Sequence, residues 1–129
     1  MELKKLLLCI CCILCIQLKA QKQFEHLTPT KENIILVCNY HNISHTNYVV
    51  AQAIQESGLK TKNHNNLFGL KHKNGLYTFR HWSYSILFYK NKIQSRYKVG
   101  EHYLSFLKRI RYASDPKYIQ KIKQISKTV

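Results

Sequence analysis

Apolar positions along the chain recur at helical spacing, broken once by a turn between two apolar runs. Leu6 to Ile16 form an unbroken apolar stretch behind Lys4 and Lys5, and Gln21 to Leu27 is polar and predicts a loose lead. Thr28-Pro29-Thr30 predicts a helix start, with Ile34, Ile35, Cys38 and His41 on one face. Ser44 is placed to cap a second helix, whose stripe is Val49, Val50, Ala53 and Ile54, and Gly58 to end it in a left-handed turn. Leu67-Phe68-Gly69-Leu70 and Leu76-Tyr77-Thr78-Phe79 flank Lys73-Asn74-Gly75, where Asn-Gly predicts a β-hairpin because both residues tolerate positive φ. Helical spacing returns after Trp82 (Ile86, Tyr89, Ile93) and again from Glu101 (Tyr103, Leu104, Leu107, Ile110). Asp115-Pro116 predicts a cap and first helical residue ahead of Tyr118, Ile119, Ile122 and Ile125. The pattern is that of one mainly helical α+β domain with a small hairpin lobe.

The first apolar run has the length of a signal-peptide core and is too short to span a bilayer. Residues 1–20 are therefore expected to be a signal peptide cut after Ala20, despite a large Leu18 three residues before the cut, leaving 21–129 as a single domain in the periplasm or outside the cell. A retained short anchor is the alternative. Removal takes Cys9, Cys11, Cys12 and Cys15 and leaves Cys38 alone, a core residue on its helical face rather than a nucleophile.

Charge changes the picture of partners. The chain carries +15, and loss of Lys4, Lys5, Lys19 and Glu2 leaves +13, a balance that suits an anionic envelope surface or nucleic acid. Lys90, Lys92, Arg96, Lys98, Lys108, Arg109 and Arg111 form a conceivable phosphate stripe, with Tyr89, Tyr97 and Tyr112 to stack bases. An exported protein rarely meets nucleic acid, so none is expected as a partner. No zinc spacing, phosphate loop or Ser-His-Asp arrangement is visible, and neither metal nor cofactor is expected. The protein is expected to be a monomer.

Few carboxylates remain for chemistry: Glu25, Glu32, Glu56, Glu101 and Asp115. Glu56 ends the second helix beside its buried stripe, where desolvation raises a carboxyl pKa and favours a proton donor. Asn63, His64, Asn65 and Asn66 lead from there into the Leu67-Phe68-Gly69 run. Amides and an aromatic facing a carboxyl suit a sugar site, although Asn also favours turns for backbone reasons.

Three blocks in order carry a resemblance: Ala51-Gln52-Ala53-Ile54-Gln55-Glu56-Ser57-Gly58, then Asn65-Asn66-Leu67-Phe68-Gly69-Leu70-Lys71, then Tyr112-Ala113-Ser114-Asp115-Pro116-Lys117-Tyr118. Over roughly residues 28–126 the chain resembles the bacterial glucosaminidase domain of glycoside hydrolase family 73. The resemblance implies a lysozyme-like helical fold with a small β-lobe and cleavage of peptidoglycan glycan strands at the β-1,4 bond after N-acetylglucosamine. It implies Glu56 as the catalytic acid, Tyr112 as an active-site residue, and Asn65, Asn66 and Phe68 as cleft residues. Trp82 is a further candidate for stacking on a sugar, with plain packing as the other reading.

Two departures bear on mechanism. Leu59-Lys60 stands where the family has Trp-Gly, and only six residues, Leu59 to His64, precede the paired Asn. No Asp or Glu lies between Ser57 and Gly100, so the hairpin lacks the second carboxylate that ordinary glycosidases use. Attack by the substrate's own acetamido oxygen, attack by a sugar hydroxyl as in lytic transglycosylases, or Glu101 as a distant base remain; Glu56 with acetamido assistance and Tyr112 as its hydrogen-bonding partner is preferred. A wall-binding protein on the same fold without turnover is the alternative function.

Overall fold

The computed structural model describes residues 2–129, without the side chains of residues 17 and 18, so Leu18 at the expected cut lies outside what is described. Among the described residues, six helices and one hairpin make a mainly helical α+β domain: α1 (Glu2–Lys22), α2 (Lys31–Tyr40), α3 (Thr46–Ser57), β1 (Lys71–His72), β2 (Gly75–Leu76), α4 (Trp82–Lys92), α5 (Tyr103–Arg109) and α6 (Tyr118–Ser126). A 3₁₀ turn at Gln94–Arg96 follows α4.

Helix α3 is the centre. It packs against α2 on one side and α6 on another, while α4 closes on α2. Val49, Val50, Ala51, Gln52 and Ala53 are all buried, a stripe wider than one helical face because neighbours cover α3 on several sides. Helix α2 contributes Ile34, Val37 and Cys38, and Thr30 caps it by accepting the Asn33 N–H at 3.2 Å. Burial pushes the Cys38 thiol up to about 12, so it stays protonated as a small apolar side chain.

Local rules fail at several joints, each for a tertiary reason. Ser44 does not cap α3; His45 precedes it in a left-handed conformation at φ 55°, and both backbone polar groups of Ser44 are held by Gln94. Gln21 to Leu27 is not a loose lead: α1 continues through Ala20 and Gln21, Gln21 is buried, and Phe24 packs edge-on against Tyr40 at 5.0 Å. Asp115 begins a turn rather than the helix itself, accepting the Lys117 N–H at 2.9 Å, and α6 starts at Tyr118. Gly58 does end α3 as expected, at φ 57° with its N–H bonded to Ile54 O.

The hairpin is shorter than its sequence suggests. Lys71 pairs with Leu76 and His72 with Gly75, so Lys73-Asn74 is the loop and Gly75, at φ 134°, is the first residue of β2. Leu67 and Phe68 form no strand; they turn into the helical core, where neither is more than 2% exposed. Apolar character there reports core membership, not strand pairing. No helix among the described residues is long and apolar enough to cross a membrane.

Candidate active site

A cleft of about 520 Å³ opens between the end of α3, the entry to the hairpin and the segment joining α5 to α6. Glu56, Phe68, Lys71, Arg96, Arg111 and Tyr112 all line it. Glu56 sits in the last turn of α3 as an exposed residue on the cleft wall, with its carboxyl partly desolvated by the surrounding protein. That desolvation raises its pKa, against smaller lowering effects from the nearby Tyr118 hydroxyl and the Lys71 charge. Gly69, at φ 59°, backs onto it: a Cβ at that position would sit 3.5 Å from Glu56 Oε2. A Cβ would make only an ordinary contact there, so it is the left-handed φ, and not crowding by the carboxyl, that favours glycine.

Tyr112 follows Arg111, whose left-handed φ of 52° ends α5 and swings the chain across the cleft. The Tyr112 ring stacks on Tyr118 at 5.7 Å. Its hydroxyl is shielded from solvent and has no hydrogen-bond partner. Burial, then the fields of Tyr118 and Glu56, hold it well above the ordinary tyrosine pKa, so it is a neutral donor without an acceptor.

The structure brings together Glu56, Phe68 and Tyr112, and leaves the other expected site residues elsewhere. Asn66 is 7% exposed; its Nδ2 donates to Leu70 O at 2.9 Å and Tyr77 O at 3.0 Å, and its Oδ1 accepts the Leu70 N–H. Asn65 Nδ2 donates to Phe79 O and Arg80 O. Both amides are spent on holding the hairpin ribbon to its approach. Trp82 is 2% exposed and donates its indole N–H to Leu27 O at 2.8 Å, so it packs the core and offers no sugar-stacking face. Glu101 is clamped by Arg109, with Nε to Oε1 at 2.8 Å, and does not line the cleft.

Asp115 is the second carboxylate on the cleft wall. Its Oδ2 pairs with Lys121 at 2.6 Å and its Oδ1 accepts the Lys117 N–H, and these bonds hold its pKa below the ordinary range. It is poorly suited to take a proton from water.

Sequence patterning missed the buried polar residues behind Glu56. Gln52 is fully buried in α3, its Nε2 donating to Tyr118 OH at 3.1 Å and its Oε1 accepting from Tyr89 OH. The signal was present, as a Gln among the apolar residues of α3. Tyr118, Tyr89 and Tyr103 read as ordinary core aromatics because periodicity does not distinguish a ring from its hydroxyl.

Fold and cleft define a mainly helical domain whose cleft carries two carboxyl groups, Glu56 with its pKa raised and Asp115 with its pKa lowered. The family model described as mannosyl-glycoprotein endo-beta-N-acetylglucosaminidase, the Glucosaminidase family, matches residues 31–129. The chain belongs to that family, whose members act on glycans. No curated protein and no solved structure matches the chain.

Proposed function

We propose that the protein is a secreted peptidoglycan hydrolase that cleaves the β-1,4 bond after N-acetylglucosamine, with Glu56 as general acid. The observation that carries this reading is a carboxyl with raised pKa lining a 520 Å³ cleft in a glucosaminidase-family chain. Glu56 donates its proton to the glycosidic oxygen as the bond to the anomeric carbon breaks. The acetamido oxygen of the same sugar bonds to that carbon from the other face, standing in for the second carboxylate. Water then opens the cyclic intermediate and returns its proton to Glu56. Engagement of both Asp115 oxygens supports this route over a two-carboxylate one.

Tyr112 supplies a donor to the acetamido group, or to the carboxylate that forms on Glu56. A hydroxyl with no acceptor in the free protein loses nothing when one develops, which favours the transition state over the ground state. Lys71, Arg96 and Arg111 line the cleft, and none is among the ion-paired residues described. Their charge suits the carboxylates of peptidoglycan and, with the mature +13, an anionic envelope surface.

Glu56→Gln keeps shape and removes the transferable proton. Glycan cleavage is expected to fall by about two to four orders of magnitude, with binding to insoluble peptidoglycan little changed. Mass spectrometry of the digest identifies the bond: reducing-end N-acetylglucosamine supports the proposal, while reducing-end N-acetylmuramic acid or an anhydro-sugar replaces it with a muramidase or a transglycosylase. A wild type that binds the wall without cleaving it would make this a wall-binding protein.

A further inference from the structure

We propose that Gln94, Tyr103, Tyr89, Gln52 and Tyr118 form a hydrogen-bonded chain with one fixed direction, which leaves the Tyr118 proton for Glu56 at the cleft wall the two residues share. The inference rests on Glu56 being the acid and adds positioning residues behind it.

The direction is set at the far end. Gln94 Oε1 accepts the Ser44 N–H at 3.2 Å, and Gln94 Nε2 donates to Ser44 O at 2.7 Å. A backbone N–H only donates and a backbone carbonyl only accepts, so these bonds admit one orientation of the Gln94 amide. Its Nε2 therefore also donates to Tyr103 OH, at 3.2 Å. Tyr103, having accepted, gives its own proton to Tyr89, whose hydroxyl lies 2.6 Å away. Tyr89 in turn donates to Gln52 Oε1, which leaves Gln52 Nε2 to donate to Tyr118 OH at 3.1 Å. No bond inside the chain uses the Tyr118 proton, and Tyr118 lines the same cleft as Glu56, where its hydroxyl acts to lower the Glu56 pKa.

Burial enforces the sequence of donors. Tyr89, Gln52 and Tyr103 are at most 1% exposed, so water does not offer these groups alternative partners, and a reversed hydroxyl would leave a buried lone pair or proton unmatched. Burial also keeps the Tyr89, Tyr103 and Tyr118 hydroxyls protonated. An oxygen of Glu56 that accepts from Tyr118 is a poor place for the acid's own proton. Such a bond favours the carboxylate left on Glu56 once its proton is given up, and so lowers its pKa.

Other groups act on Glu56 as well. Lys71 approaches from the hairpin and Tyr112 from the segment after α5; Arg96, Arg111 and the Lys121-paired Asp115 share the cleft wall. None is altered by the variants that follow.

The test is the Glu56 titration read by carboxyl-¹³C NMR, assigned with Glu56→Gln, alongside the pH dependence of kcat on a soluble glycan. Tyr118→Phe removes a donor to the carboxylate, so the Glu56 pKa and the alkaline limb of kcat are expected to move up. Turnover falls about tenfold, the worth of one hydrogen bond to a charged group, with KM little changed. Gln52→Met keeps the volume and carries no charge; Tyr118 loses the donor that orients it, and the titration is expected to move in the same direction by less. A purely structural role lowers the melting temperature of either variant and leaves the Glu56 titration in place, which would overturn the proposal. If Gln52→Met fails to fold, Tyr118→Phe alone decides. The NMR reading does not need turnover, so a wild type that cleaves no glycan sinks the proposed function and leaves the chain of donors still open to its own test.

Discussion

Tyr112 shows how a residue serves two ends that conflict. Its buried hydroxyl has no partner, and a buried polar group left unmatched costs about 1–3 kcal/mol. Tyr112→Phe is therefore expected to stabilise the free protein, by about 1 kcal/mol or a melting temperature roughly 4 °C higher at this chain length. The same variant is expected to cleave glycan more slowly, since the donor awaiting the reaction is gone. Calorimetry and turnover on one preparation check both halves; a variant that is less stable and fully active would contradict the role given to Tyr112. Glu56 and Tyr112 were legible in the sequence because they sit in ordered motif blocks. Tyr118 lies in one of those blocks too, but it carries the same apolar-stripe signal as Ile122, and only the position of its hydroxyl separates them.

Among the elements, the hairpin ribbon taught most about what spacing conveys. The Asn-rich entry has the composition of a sugar-binding surface, yet Asn65 and Asn66 donate their amide N–H groups to backbone carbonyls in and just after the ribbon. A sequence states that a polar group is present and not whether the chain itself will satisfy it. Helix positions fared better: Ile34 and Cys38 of α2 and Tyr118 and Ile122 of α6 were legible because burial of one face dictates the period, whereas α3 is covered on several sides and buries Ala51 and Gln52 as well. Strand limits were not, because Leu67 and Phe68 are apolar on account of the helices they meet. Asn66→Ala removes the side chain that bonds Leu70 and Tyr77, and is expected to cost about 2–3 kcal/mol, read by denaturant unfolding. At a temperature where the variant is folded its KM for glycan should stay near that of wild type. A tenfold rise in KM with unchanged stability would return Asn66 to the binding surface.

For the whole molecule, charge and export are the properties that patterning alone proposes. A chain of +15, or +13 once the expected leader is removed, is expected to bind peptidoglycan less tightly as salt rises, since screening shortens the reach of its field to about 8 Å at physiological ionic strength. Sedimentation of the protein with insoluble wall across a salt series measures this, and a flat response would remove charge from the account of binding. Leader removal is expected to leave Gln21 first, checked by N-terminal sequencing of the exported protein. The structure also makes the two ends of the chain chemically unlike. Cys9, Cys11, Cys12 and Cys15 are exposed along α1, whereas Cys38 is buried with its thiol held protonated. An alkylating reagent applied to the native protein should thus add four groups to the full-length chain and none to one that starts at Gln21. Mass added per molecule becomes a direct gauge of how much precursor a preparation still contains, and the exported form should neither cross-link nor lose function in an oxidising environment.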